Sequence, residues 1–320
     1  MRLLKLVPDN TNIGFVRLRA WAFGLTALLT VIAVFATVTR GLNLGVDFVG
    51  GLSIEATFQQ PPPLGELRST IDNQHAGEAG LSPYVDNPRI VAIRLPAPQS
   101  TDPGATNAMV NRVEAAIHDK FPGVTFGKTD SVTGKVSGEL IRNGLFAVFA
   151  AVFMIAVFSW LRYEWQFGVS TFVAIFHDVL VTLGFFALTR LEFDLNIVAA
   201  VLTIIGYSIN DKIVIDDRIR ENMRKYRQMD MRSLIDLSVN ETLPRTVMTS
   251  LTVLLALLSL LVFGGPVLRG FTAAMMLGVI VGTYSSIYVS SSLLISLGLS
   301  PQLSEPKKKS GPPDSAERVG

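Results

Sequence analysis

Among the ionisable side chains inside long apolar runs of this 320-residue chain, His177, Asp178, Asp211 and Arg245 stand out. His177 and Asp178 sit within 167–189, Asp211 near the end of 193–215, and Arg245 at the start of 245–263. A charge in hydrocarbon is costly, so residues of this kind tend to mark ion or substrate pathways. Thr203, Tyr207 and Asp211 recur at steps of four and share one helix face, flanked by Ser208 and Asn210. Thr249, Thr252 and Ala256 continue the face of Arg245 at i+4, i+7 and i+11.

Asp211 lies late in a segment running inward and Arg245 early in the next one running outward. The two therefore share a depth and can pair across neighbouring helices. The competing reading has Arg245 snorkelling as an anchor while Asp211 ends its helix among the headgroups. Lys212 either snorkels to the surface or acts on Asp211 by proximity. His177 and Asp178 lie about 15 Å deep at 1.5 Å per residue. Asp178 is a candidate partner for His177, but neighbours in sequence point about 100° apart on a helix, which predicts contacts with different helices.

Composition excludes much else. With no cysteine and three scattered histidines (His75, His118, His177), neither a disulfide nor a metal site is expected. No organic cofactor is expected, and no nucleophile–base pair suggests an enzyme. A net charge of +2 gives nucleic acid no foothold. Hydrophobic residues make up 49% of the chain and charged ones 17%, against about 25% in an average soluble domain. That deficit, concentrated in runs, points to membrane lipid.

Six runs are long enough to cross a bilayer: 21–38, 141–161, 167–189, 193–215, 245–263 and 271–297. The first exceeds a signal-peptide core and is read as retained. Basic residues near span ends set the orientation. Arg2, Lys5, Arg17, Arg19, Arg162, the cluster Arg218, Arg220, Arg224, Lys225, Arg227 and Arg232, and Lys307 to Lys309 fall on one side. Only Arg190 and Arg269 occupy the short opposite loops. Both termini (1–20, and a tail over 300–320 expected to be disordered) and the 216–244 loop are thus placed in the cytoplasm. Residues 39–139 fall outside, and 140–299 hold the remaining five helices.

Within 39–139 the pattern turns to soluble alternation. Strands are expected at 52–58, 81–85, 88–95 and 125–132, and helices at 64–72 and 104–121. Val91 and Ile93 face one side of their strand, Ile90, Ala92 and Arg94 the other. The order β-α-β-β-α-β predicts a small ferredoxin-like α+β domain. Its apolar strands suit capture of an extended polypeptide by strand addition. In the cytoplasmic loop, Ile219, Met223, Tyr226, Met231, Leu234, Ile235 and Leu237 form an imperfect stripe, read as an interfacial amphipathic helix or a docking surface for a partner. In the last span Ala274, Gly278, Gly282, Ser286 and Ser290 recur every four residues, a small-residue ridge for close helix packing.

Several of these segments resemble one known family. Gly45-Val46-Asp47-Phe48-Val49-Gly50-Gly51 follows the first span, and His177-Asp178 marks the third. The fourth reads Gly206-Tyr207-Ser208-Ile209-Asn210-Asp211 and continues through Lys212 to Asp217-Arg218-Ile219-Arg220-Glu221-Asn222. Leu243-Pro244-Arg245-Thr246, Thr249-Ser250-Leu251-Thr252 and Gly282-Thr283-Tyr284-Ser285-Ser286 follow in order. Together they resemble the SecF family of protein-export membrane subunits (SecD/SecF, within the resistance-nodulation-division superfamily) over nearly the whole chain.

The resemblance implies a bacterial inner-membrane subunit that works with SecD beside the SecYEG channel, with YajC and YidC as further candidates. It would use the proton-motive force to complete export of unfolded precursors. Protons would be the coupling ion, Asp211 taking and releasing them and Arg245 tuning it. His177, Asp178, Tyr207, Ser208, Asn210, Thr249 and Thr252 would give intramembrane polar support. Gly45, Asp47, Gly50 and Gly51 would form the family motif after helix 1, and Gly278, Gly282 and Ser286 a packing surface. The chain departs from the family's usual pattern at Lys212 (usually small or hydroxyl-bearing), at Asp216 (usually aromatic or apolar) and at Thr133-Gly134 (commonly Gly-Pro). A rival within the superfamily is one half of a small-molecule or lipid exporter, though those carry two six-span halves and larger outer domains. A passive scaffold is the other rival.

Overall fold

A computed structural model describes residues 8, 11–74, 79–84, 87–96, 103–132 and 134–300. His75, Val85, Lys307 to Lys309 and the 301–320 part of the tail therefore lie outside the described residues. Six helical segments are long and apolar enough to cross a membrane: Val16–Arg40, Val136–Arg162, Trp165–Thr189, Leu195–Lys225, Met231–Phe263 and Leu268–Ser296. The helices behind them are α1 (Arg19–Arg40), α5 (Gly134–Arg162), α6 (Trp165–Thr189), α7 (Leu195–Lys225) and α8 (Met231–Phe263). The sixth span combines α9 (Gly265–Tyr284), a π-helical turn over Ser285–Ser290 and α10 (Ser291–Ser296). Spans three, four and six form the inner row, while one, two and five present more of their apolar surface outward. Phe35, Phe146, Phe149, Leu161, Leu255 and Phe263 are all exposed on those outer helices, a pattern that suits hydrocarbon rather than water.

Between α1 and α5 come β1 (Asn43–Leu44), α2 (Val46–Val49), β2 (Gly51–Thr57), α3 (Leu64–Asp72), β3 (Gly80–Pro83), β4 (Ile90–Leu95), α4 (Pro103–Lys120) and β5 (Thr125–Val132). The last four strands form one antiparallel sheet in the order β3-β4-β2-β5. Alternation decides its faces. Leu52, Ile54 and Ala56 of β2 and Val91, Ile93 and Leu95 of β4 pack on Leu67 and Ile71 of α3 and Val113 and Ile117 of α4. The opposite face is polar and meets the span ends near 190–197 and 269–271. There Ser53, Glu55, Tyr84 and Asp130 line a cleft of about 200 Å³ together with Asp47, Glu192 and Asp194. Burial, with Glu55 beside it, pushes the Tyr84 phenol well above its ordinary range.

The root of this domain is tied to the spans. β1 pairs in parallel with β6 (Glu192–Phe193), just ahead of α7. Arg94 bonds Asn43 Oδ1 at 3.0 Å and the Leu44 carbonyl at 3.1 Å, and its guanidinium meets Glu192 at 2.9 Å.

At the other end the structure corrects the reading of 216–244. α7 continues to Lys225 and α8 begins at Met231, running through Pro244, so this stretch is the extension of two spans joined by a short turn. Ile219, Met223, Leu234 and Ile235 pack inward on Phe15, Phe167 and Leu294. The stripe is therefore spent on the protein's own core, not on a lipid surface. Asp236 and Asn240 also hold the chain ahead of α1. Asp236 Oδ1 accepts from the Val16 amide at 2.9 Å, and Asn240 exchanges two bonds with Ile13.

Candidate functional site on the two faces of α7

α7 starts at a doubly capped end. Asp194 Oδ1 accepts from the Ile197 amide at 3.0 Å, and Asp47 Oδ2 accepts from the Leu195 amide at 2.9 Å. Free amides at a helix N-terminus favour such carboxylates. Burial nevertheless pushes the Asp194 carboxyl above its ordinary range, opposed by the Ile197 amide and aided by neighbouring Asp47. The glycine-rich segment makes the Asp47 cap possible. Gly50 and Gly51 have φ of 77° and 115°, where side chains with a Cβ are strained. A Cβ on Gly45 would stand 2.9 Å from Glu192 Oε1.

The inner face of α7 is densely bonded. Ser208 donates to Asp178 Oδ2 at 2.7 Å, and Ser285 of the π turn donates to the same oxygen at 2.9 Å. His177 Nδ1 lies 3.1 Å from Asp178 Oδ1 and donates to it. The prediction that His177 and Asp178 point to different helices is thus half right. Asp178 reaches α7 and the sixth span, yet the adjacent side chains also bend toward each other and bond. One turn further on, Lys212 and Asp216 form a buried ion pair at 2.9 Å, and Lys212 also donates to Ser170 at 3.0 Å and to Ser290. Lys212 therefore neither snorkels nor leans on Asp211. With both partners 2% exposed, α7 supplies its own countercharge at i+4.

Close approach makes this network possible. A Cβ on Gly278 would come within 2.4 Å of Ile204, and one on Gly282 within 3.1 Å of Ser208. Ser286 donates to the Ser208 carbonyl at 3.3 Å. Small residues thus bring the sixth span against α7, as contact-driven packing in lipid requires.

The outer face is different. Asp211 is 3% exposed, and its Oδ2 has no hydrogen-bond partner among the described residues. The predicted ion pair with Arg245 is not formed: no contact within 4 Å joins them, although Arg245 lies close enough to act on the carboxylate through its charge. Helix phase explains this. Leu243, Thr246 and Ser250 face inward on α8, which leaves Arg245 and Thr252 on the exposed stripe. Asn210 is exposed beside them, while Thr249 and Thr252 bond carbonyls of their own helix. Tyr207 stands at the boundary, donating to Ser250, which bonds Thr283 at 2.8 Å.

The sequence singled out Asp211, Arg245, His177 and Asp178, and the structure sets them apart around α7: His177 and Asp178 of α6 at its inner face, Asp211 and the α8 residue Arg245 at the other. It adds Ser170, Asp216, Ser285 and Ser290 as polar partners, a role the sequence did not assign: Ser290 was read only as part of the packing ridge and Asp216 only as a departure from the family pattern. The Lys212–Asp216 spacing was a usable signal for the second of these. Ser285 and Ser290 carried none for this role, because the π turn that aims them has no sequence signature.

Comparison with known proteins follows this geometry. The C-terminal family of the protein export membrane proteins SecD and SecF matches residues 112–300, and the SecD/SecF GG motif matches 35–62. The protein translocase subunit SecF of Cereibacter sphaeroides is 44% identical over 92% of this chain and 93% of its own length. That of Rickettsia akari is 38% identical over 91% and 94%. The crystal structure of SecDF from Thermus, described as a translocon-associated membrane protein, superposes with a TM-score of 0.83 at 34% identity over 92% of this chain. SecDF in a super-membrane-facing form gives 0.66 at 33% identity over 90%. The chain spans about 40% of the length of the first of these SecDF chains and 39% of the second. With its six apolar helices it is a multi-pass membrane protein, and it belongs to the SecD/SecF family of protein-export membrane proteins, in the SecF branch.

Proposed function

We propose that this chain uses the proton-motive force, together with SecD, to drive unfolded precursors across the bacterial inner membrane, with Asp211 as the group that takes and releases the proton. One observation carries the reading: a buried carboxylate oxygen without a partner, on a helix face whose neighbours Asn210 and Arg245 are exposed, with side chains that make no hydrogen bond or ion pair among the described residues. In a bilayer such a face needs a covering surface. The SecDF neighbours, more than twice this chain's length, support a second half as that surface.

Arg245 would set the charge balance of Asp211 from across the gap. Moving one elementary charge through 100 mV is worth about 2.3 kcal/mol, enough to bias a two-state arrangement of helices. The α+β domain, which we read as ferredoxin-like and outside the membrane with both termini in the cytoplasm, would do the work on the emerging polypeptide. Its tie to α7 through Asp47 and the β1–β6 pair supports this coupling. SecYEG would be the channel served, with YajC and YidC as accessory partners. The chain would act as an accessory translocase subunit rather than an enzyme.

Asp211→Asn tests the proposal in inner-membrane vesicles carrying this chain, SecD and SecYEG. Proton-gradient-driven completion of export should be lost, while the variant still inserts and associates with SecD. Undiminished export would leave a scaffold, and the proposal would fall.

A further inference from the structure

Asp178 is a buried carboxylate whose charge is not matched. Lys212 is already paired with Asp216 at 2.9 Å, and the only basic group within 4 Å of Asp178 among the described residues is His177. His177 is itself 3% exposed, and its Nε2 has no hydrogen-bond partner among the described residues. The imidazole stands twelve residues from either end of α6, counting from Trp165 and Thr189, or about 18 Å at 1.5 Å per residue. That is mid-membrane. A neutral imidazole donating through Nδ1 to a carboxylate leaves Nε2 as a free base, and a proton arriving there would cancel the net charge of the pair.

We propose that His177 and Asp178 form a second proton-binding site, built wholly within this chain and separate from Asp211. The proton adds to the Nε2 lone pair, Nδ1 keeps its own, and a neutral imidazole beside a carboxylate becomes an imidazolium–carboxylate ion pair. The surroundings suit this exchange. The elements packed against α6 are α1, α5, α7 and the three parts of the sixth span. Between Arg19 and Arg40 on α1, between Arg142 and Arg162 on α5, and beyond Arg269 on the sixth span there is no charged residue. α7 contributes Asp211, Lys212 and Asp216, the latter two already paired, and its remaining charged residues fall in its last turns over 217–225. The hydroxyls of Ser208 and Ser285 hold Asp178 Oδ2 and connect the site to two neighbouring spans. Ser208 stands three residues before Asp211, so the two proton sites lie on either side of about one turn of α7.

The consequence for export rests on the proton-driven reading above, but proton binding itself can be measured without export. The full chain, labelled with ¹⁵N-histidine and held in lipid nanodiscs, is titrated by NMR over about pH 5 to 8, where imidazoles exchange their proton. His177→Gln identifies the His177 signals among those of the three histidines. The expected result is a protonation step at His177 Nε2 within that range. In Asp178→Asn, which removes the negative partner, the step should move to lower pH by about 1 to 3 units. In Ser208→Ala, which takes one donor from the carboxylate and leaves it more basic, the step should move to higher pH. Opposite shifts distinguish a coupled pair from general loosening, and Ser208→Ala keeps the test available if Asp178→Asn does not fold. A His177 signal that does not change over the range, or a step that neither substitution moves, overturns the proposal. Undiminished export by Asp211→Asn would sink the proton-driven function and leave a titrating His177 standing, so the two failures are distinguishable.

Discussion

The two faces of α7 carry similar residues and treat them in opposite ways. Toward spans three and six, the lysine and both carboxylates are hydrogen-bonded within the chain. Lys212 meets Asp216, Ser170 and Ser290, and Asp178 receives Ser208, Ser285 and His177. Toward the exposed side, Asp211 Oδ2 is unpartnered and the Asn210 and Arg245 side chains make no hydrogen bond, among the described residues. The difference separates a face finished by folding from a face that folding leaves for something else to finish. Stability resides in the first. Conformational choice, in the proposed account, resides in the second.

Substitutions at the two faces should therefore part company, and the largest effect belongs to the inner one. Lys212→Met leaves Asp216 as an unpaired buried charge and should cost about 3–5 kcal/mol, while Lys212→Met with Asp216→Leu should recover most of that loss. Thermal unfolding in detergent reads both, and equal losses in the single and double variants would break the pairing argument. Gly278→Ala places a Cβ against Ile204 and should cost about 1–3 kcal/mol, checked in the same melt. On the outer face, Asn210→Leu should change the stability of the isolated chain by no more than about 0.5 kcal/mol. It should nevertheless weaken co-purification with SecD, whereas a large stability loss would mean the face is already covered from within.

The smallest effect concerns the cap of α7. Because the Asp194 carboxyl is pushed up by burial and by Asp47, its protonated form is the one the fold favours. That contribution is present below the ordinary carboxylate range and is lost as pH rises through the raised value. Asp194→Asn keeps a capping oxygen and removes the titrating group. It should flatten the stability profile over that window, and an unchanged profile would show that Asp194 does not shape it.

What could be read from sequence divides along physical lines. Six apolar spans follow from hydrocarbon thickness and helix rise alone. The polar stripe Thr203, Tyr207, Asp211 follows from helix period. The direct Asp211–Arg245 pair, one of two readings open for Arg245, fails because it matches depth without phase: the inward stripe of α8 runs Leu243, Thr246, Ser250, and Arg245 falls outside it. For Lys212 the sequence offers snorkelling or an action on Asp211, and neither alternative weighs Asp216, which stands one turn away and takes the lysine. The apolar stripe of 216–244 was visible, but periodicity cannot say whether such a stripe meets lipid or protein, and here it meets Phe15 and Leu294. The serine network depends on a π turn that shifts helix phase at Ser285, which no residue type announces.

The central claim is that Asp211, on the open face of α7, carries the proton that drives export, while the Lys212–Asp216 pair on the closed face holds the helix. Its most direct test compares Asp211→Asn with the Lys212→Met/Asp216→Leu double variant for proton-gradient-driven export in the same vesicles. The account predicts that the first abolishes export and the second, once folded, retains it. Export retained in Asp211→Asn would contradict it.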